Sequence, residues 1–125
     1  MTETPRLELT GIVLDSPDPR ALAGFYGRLL GWTVRTNEPD WVTLAPPTGG
    51  PGLSFQTESA YVPPTWPAGP GDQQMMVHLD IKVDDLDAAG AHAIAAGARL
   101  AEFQPQTDVR VFLDPAGHPF CLFLH

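Results

Sequence analysis

Asp18-Pro19-Arg20-Ala21-Leu22-Ala23-Gly24-Phe25-Tyr26-Gly27-Arg28-Leu29-Leu30-Gly31-Trp32 reads as one helix with both ends marked. Asp18 stands where an N-cap side chain accepts the first free N–H groups. Gly31 stands where a helix closes in the left-handed region, and the helical pattern runs from Ala21 to Leu30 between them. The same punctuation returns: Asp85, 67 positions after Asp18, stands before the Ala-rich pattern Leu86 to Ala96, and Gly97 follows it. Gly50 and Gly117 keep that offset, and each precedes a short apolar strand.

Working outward, each copy reads as strand, helix, then three strands. The first copy gives Leu7–Leu14, Leu22–Leu30, Thr33–Thr36, Trp41–Ala45 and Leu53–Thr57. The second gives Met76–Val83, Leu86–Ala96, Arg99–Phe103, Val109–Leu113 and Phe120–Leu124. A Pro-rich stretch with little periodicity, residues 59–74, joins modules at about 7–58 and 75–125. Two βαβββ units make an α+β domain whose sheets bury one side against their helices.

Alternation assigns the faces. Val77, Leu79, Ile81 and Val83 alternate with His78, Asp80 and Lys82, which places the aliphatic set toward the helices and the polar set opposite. In the last strand Phe120, Leu122 and Leu124 alternate with Cys121, Phe123 and His125. Both faces are largely apolar, as in a central strand, and Cys121 then shares the face of His78.

Composition excludes several classes. The chain has 125 residues, enough for one domain, with 43% hydrophobic and 18% charged residues, an ordinary globular balance. Its 15 acidic and 7 basic residues give a net charge of -8, and the six arginines and Lys82 are scattered. No basic stripe exists to neutralise phosphates, so neither nucleic acid nor an anionic membrane surface is an expected partner. The polar start with Glu3 does not read as a secretory signal, no apolar run is long enough to span a bilayer, and Cys121 is the only cysteine. A cytoplasmic location is the expectation.

The stretches Asp18-Pro19, Phe25-Tyr26-x-x-Leu29-Leu30-Gly31-Trp32, His78-Leu79-Asp80-Ile81, Val83-Asp84-Asp85 and Asp114-Pro115-Ala116-Gly117-His118-Pro119-Phe120-Cys121 resemble the vicinal oxygen chelate superfamily. That group includes glyoxalase I, extradiol dioxygenases, methylmalonyl-CoA epimerase, and fosfomycin- and bleomycin-resistance proteins. Its small glyoxalase-like members are the most similar. The resemblance implies paired βαβββ modules forming a cupped, incomplete barrel, and commonly a homodimer with sites at or near the interface.

The resemblance further implies, in metal-dependent members, a ligand on the first and last strand of each module, usually His, Glu or Gln around Ni, Zn, Mn or Fe(II). Carried onto this chain, those positions are Gly11, Ser54, His78 and Cys121, with Gln56 as the same-face alternative to Ser54. Gly11 has no side chain and Ser54 is a poor ligand, so no metal is expected. If one binds, His78, Gln56 and Cys121 are the candidates.

The expected function is therefore binding of an unidentified small molecule, in the manner of bleomycin-resistance proteins. Ser54, Gln56, His78, Asp80 and Cys121 line the pocket, with Trp41 and Trp66 as apolar walls. His78 reads as a hydrogen-bonder or general base tuned by Asp80, or equally as a structural pair with it. Trp66, stiffened by Pro63, Pro64 and Pro67, reads as a lid or as a plug at the module junction. Asp114 and His118 read as turn residues, and His92 as inert. The alternatives are a metal-dependent lyase, isomerase or dioxygenase, and a cup filled by its own side chains that serves only assembly.

Overall fold

The computed structural model describes residues 5–124; His125, the last member of the alternation read above, lies outside that range. The first module runs β1 (Gly11–Ser16), α1 (Pro19–Leu30), β2 (Thr33–Glu38), β3 (Trp41–Ala45) and β4 (Gly52–Thr57). The second runs β5 (Leu79–Lys82), α2 (Leu86–Ala96), β6 (Arg99–Leu100), β7 (Val109–Leu113) and β8 (Pro119–Phe123). Both modules fold to one pattern: β1-β4-β3-β2 and β5-β8-β7-β6, with the outer pairs β1–β4 and β5–β8 parallel. The duplication holds at the level of register, since Val13 pairs with Ser54 as Asp80 pairs with Cys121.

The helices form where the caps place them. Asp18 accepts from the Ala21 N–H at 3.1 Å and Asp85 from the Ala88 N–H at 3.0 Å. Pro19 opens α1, a position where its missing N–H costs nothing. Gly31 closes α1 at φ 70°, in the left-handed region a side chain would disfavour.

One core serves both modules. Tyr26 stacks on Phe55 of β4 at 5.7 Å between ring centroids and meets Phe120 of β8 edge-on at 6.2 Å. Phe25, Leu44, Phe112 and Leu122 complete the buried centre. The helices are tied across the modules as well: Arg28 donates to the Ala96 carbonyl at 2.8 Å, and the His92 ring lies 3.0 Å from the Leu29 carbonyl oxygen. Both sheets thus turn their apolar sides toward the helices and their polar sides away. Among the described residues no strand of one sheet brings a Cα within 8 Å of a strand of the other.

Three strands are shorter than their sequence pattern, each for want of a partner. β1 begins at Gly11, not Leu7, because its neighbour β4 begins opposite it at Gly52; Leu7 and Leu9 stay exposed. β5 begins at Leu79, not Met76. Leu79 pairs with Phe120, so the next position back lies against Pro119, which has no N–H for the ladder. Val77 consequently leaves the aliphatic face, while Leu79, Ile81 and Val83 pack on the core. β6 ends at Leu100 rather than Phe103. Beyond it the Gln104 side chain takes over, accepting from the Val111 N–H and donating to the Val111 carbonyl, both at 2.9 Å.

Candidate functional site

Parallel pairing of β5 and β8 makes Asp80 and Cys121 partners, so their side chains leave the sheet on the same outer face. His78, two residues before Asp80, shares that face. Its Nε2 lies 3.1 Å from Asp80 Oδ1. The Cys121 Sγ lies within 4.8 Å of both groups. Burial, and then the neighbouring Asp80 carboxylate, push the Cys121 thiol above its ordinary range. The three groups open on a cavity of about 290 Å³ whose walls include Asp108, Val109 and Phe123.

The other expected pocket residues sit elsewhere. Ser54, Gln56 and Trp41 lie on the outer face of the first sheet, where Ser54 is flanked by Val13 and Thr43, and Trp41 pairs with Gln56. Gln56 donates to Asp15 Oδ1 at 2.7 Å. Trp66 lies beside Phe103, its indole N–H donating to the Phe103 carbonyl at 3.3 Å. The structure thus brings His78, Asp80 and Cys121 together. Ser54, Gln56 and Trp41 form a second polar face, and Trp66 lies against the segment after β6.

A second cluster, centred on Asp114, falls outside the expected pocket. The Asp114 carboxylate is 1% exposed. It accepts from Tyr26 Oη at 2.7 Å, from the Ala116 N–H at 2.9 Å and from the His118 N–H at 3.0 Å. His118 Nδ1 lies 2.8 Å from Oδ2; facing only carboxylate oxygens, it carries the ring proton. His118 Nε2 then faces Tyr61 Oη at 3.2 Å, and Tyr61 also reaches the Ala116 carbonyl at 2.9 Å. Tyr61 and His118 border a further cleft of about 290 Å³ between β1 and the segment before β5. Burial, followed by the Asp114 and Asp15 charges, raises the Tyr61 pKa well above the usual phenol range, so the phenol stays neutral. The spacing Asp114-x-x-x-His118 was the available sequence signal; nothing local pointed to Tyr26 or Tyr61.

The model of the glyoxalase-like domain family matches residues 11–123, nearly the whole chain. The chain belongs to that family. Its fold recurs in a glyoxalase/bleomycin resistance protein/dioxygenase family enzyme from Burkholderia phytofirmans PsJN, at TM-score 0.71 and 21% identity over 93% of this chain and 97% of that one. A glyoxalase-related enzyme from Fulvimarina pelagi superposes at TM-score 0.67 with 19% identity, over 94% and 88% of the two chains. A glyoxalase/bleomycin resistance protein from Albidiferax ferrireducens T118 gives 0.64 and 18%, over 94% and 98%. No curated protein sequence matches the chain. At these identities the likeness is one of fold, and activity has to be argued from the site.

The four positions that the resemblance implies are divided between the two modules, Gly11 and Ser54 in the first and His78 and Cys121 in the second. Gly11 contributes no side chain, and a Cβ built there would lie 3.6 Å from Ser54 Oγ. Ser54 and Gln56 stand on β4 of the first sheet, while Cys121 stands on β8 of the second and His78 just before β5. Among the His, Cys, Asp and Glu side chains of the described residues, Asp80 is the group that lies beside His78 and Cys121.

Proposed function

We propose that the protein binds a small organic molecule in a cup closed between two copies of the chain. The Ser54, Gln56 and Trp41 face of one copy meets the His78, Asp80 and Cys121 face of the other. The observation that carries this reading is the separation of these two polar faces onto different sheets, whose strands bring no Cα within 8 Å of one another among the described residues. Each face borders an edge strand, β1 or β5, paired on one side only among the described residues. Exposed Val13, Met76 and Val77 lie along those edges. The net charge of -8 favours a neutral or cationic ligand over an anion. No helix of the described residues is long and apolar enough to cross a membrane, which accords with action in the cytoplasm.

The test pairs sedimentation with a screen of neutral and cationic aromatic compounds, followed by tryptophan fluorescence on chelator-treated protein. A dimer that binds one of these compounds, with binding weakened in both His78→Ala and Gln56→Ala, supports the reading. A monomer, or a dimer indifferent to both substitutions, overturns it.

The convergence of His78, Asp80 and Cys121 favours a second reading, a metal-dependent lyase, isomerase or dioxygenase. Stoichiometric metal in protein purified without chelator or affinity tag, lost in His78→Ala, discriminates in its favour.

A further inference from the structure

The cleft beside β1 owes its existence to two ladders that stop short. β1 is an edge strand, paired with β4 alone among the described residues. Met75, Met76 and Val77, on the facing side, stand before the first pair of the β5–β8 ladder, Leu79 with Phe120. An opening of about 290 Å³ remains between them, near the lower end of the range for small-molecule pockets. Its polar wall is held in place by the chain itself. The Glu58 N–H donates to the Ser16 carbonyl at 3.0 Å, which lays the chain leaving β4 beside the end of β1. The Tyr61 N–H donates to the Glu58 carbonyl at 3.2 Å, and the Tyr61 hydroxyl is anchored at Ala116 and His118. Asp15 is half-buried, with Oδ1 accepting from Gln56 at 2.7 Å. Its other oxygen accepts no hydrogen bond among the described residues.

The lining carries one sign of charge. Asp15 and Glu58 are its carboxylates, and no Lys or Arg lies along it. Asp15 is near enough to Tyr61 for its charge to help raise the phenol. Val13, Val62, Met76 and Val77 add exposed apolar surface, and a methionine side chain adapts to irregular shapes. We propose that this cleft binds a small organic ammonium ion, its charge toward Asp15 and Glu58 and its apolar body against Val13, Val62 and Met76. Ammonium N–H groups donate to carboxylates in charge-assisted hydrogen bonds, which are stronger than neutral ones. An anion would meet two like charges, and a neutral molecule would keep only the apolar contact. The cleft is built by one chain and needs no dimer. It meets the proposed cup only at Asp15, which Gln56 holds, and so goes beyond the binding reading.

The full chain is titrated by isothermal calorimetry with benzylammonium chloride, and in parallel with benzyl alcohol and sodium benzoate. The expected result is saturation at one benzylammonium per chain, with benzyl alcohol bound about tenfold more weakly and benzoate not at all. Glu58→Gln and Asp15→Asn each weaken benzylammonium binding by about threefold, and the double variant binds amine and alcohol alike. Both substitutions keep the size of the side chain, and circular dichroism of each variant separates loss of the site from loss of the fold. His78→Ala leaves the affinity unchanged. Equal affinity for amine and alcohol, indifference to both carboxylate substitutions, or no saturable binding overturns the proposal. Loss of binding in His78→Ala with Glu58→Gln unaffected also overturns it and places the amine in the cup instead, so the two readings fail separately.

Discussion

A buried carboxylate survives only if donors surround it, and Asp114 shows how the chain supplies them. Two backbone N–H groups, His118 Nδ1 and Tyr26 Oη point at its two oxygens. Removing one of several donors to a buried charge costs about 1.5–3 kcal/mol. Tyr26→Phe is therefore expected to lower stability by that amount in urea denaturation while leaving the fold intact. The same residue fixes an alkaline limit. Burial, then the charge and hydrogen bond of Asp114, raise the Tyr26 pKa well above 10.0. Above about pH 10 unfolded chains release tyrosine protons that the folded chain retains, so stability falls as pH rises. Wild-type stability should decline steeply there, and Tyr26→Phe should flatten the decline; parallel slopes would count against the account. Sequence reading took Asp114 as turn chemistry, which it is, since it receives the Ala116 and His118 N–H groups. Its partnership with Tyr26 spans 88 positions and left no local mark.

Local signals also set what was legible in the elements. Asp18 and Asp85, with Gly31 and Gly97, bound both helices because a cap is made by residues three or four apart. Asp18→Ala and Asp85→Ala should each cost about 1 kcal/mol, and the double variant about their sum, since the caps share no partner. Strand ends are set by the neighbouring strand, so β1, β5 and β6 ran long in the sequence reading. β5 illustrates this: its apolar pattern continues to Val77, but Pro119 across the ladder stops the pairing. Close approach of backbones is equally invisible in one segment alone. Gly52 opens β4 where a Cβ would collide with the Leu44 carbonyl oxygen of β3. Gly52→Ala should destabilise by well over 1 kcal/mol, whereas Gly27→Ala, with open space around its Cα and better helix propensity, should stabilise by roughly 0.5–1 kcal/mol. Thermal melts of the two variants in opposite directions would confirm the contrast.

At the scale of the molecule, duplication gave two equivalent sheets and one shared core, and packing decided which faces remain outside. The duplication itself was legible, because punctuation at a constant offset survives where identity does not. The separation of the polar faces was not, since an alternating strand reveals that two faces exist but not what each meets. Placing Ser54 and Cys121 in one pocket followed from their equivalence in the repeat; the structure keeps them on different sheets. A cup that needs both faces must recruit the second face from another chain. Val13 tests this, because it is 45% exposed beside Ser54 on the outer face of edge strand β1. In a lone chain Val13→Lys places a charge in water and should change stability by no more than about 0.5 kcal/mol. In a closed cup the same charge is stranded between two sheets without a counterion, at a cost of several kcal/mol. Sedimentation equilibrium should therefore find wild type as a dimer and Val13→Lys as a folded monomer with an unaltered melting temperature when both are diluted below the dissociation constant. A dimer that tolerates Val13→Lys would place the contact on another surface. The His78, Asp80 and Cys121 face would then have to bind its ligand alone.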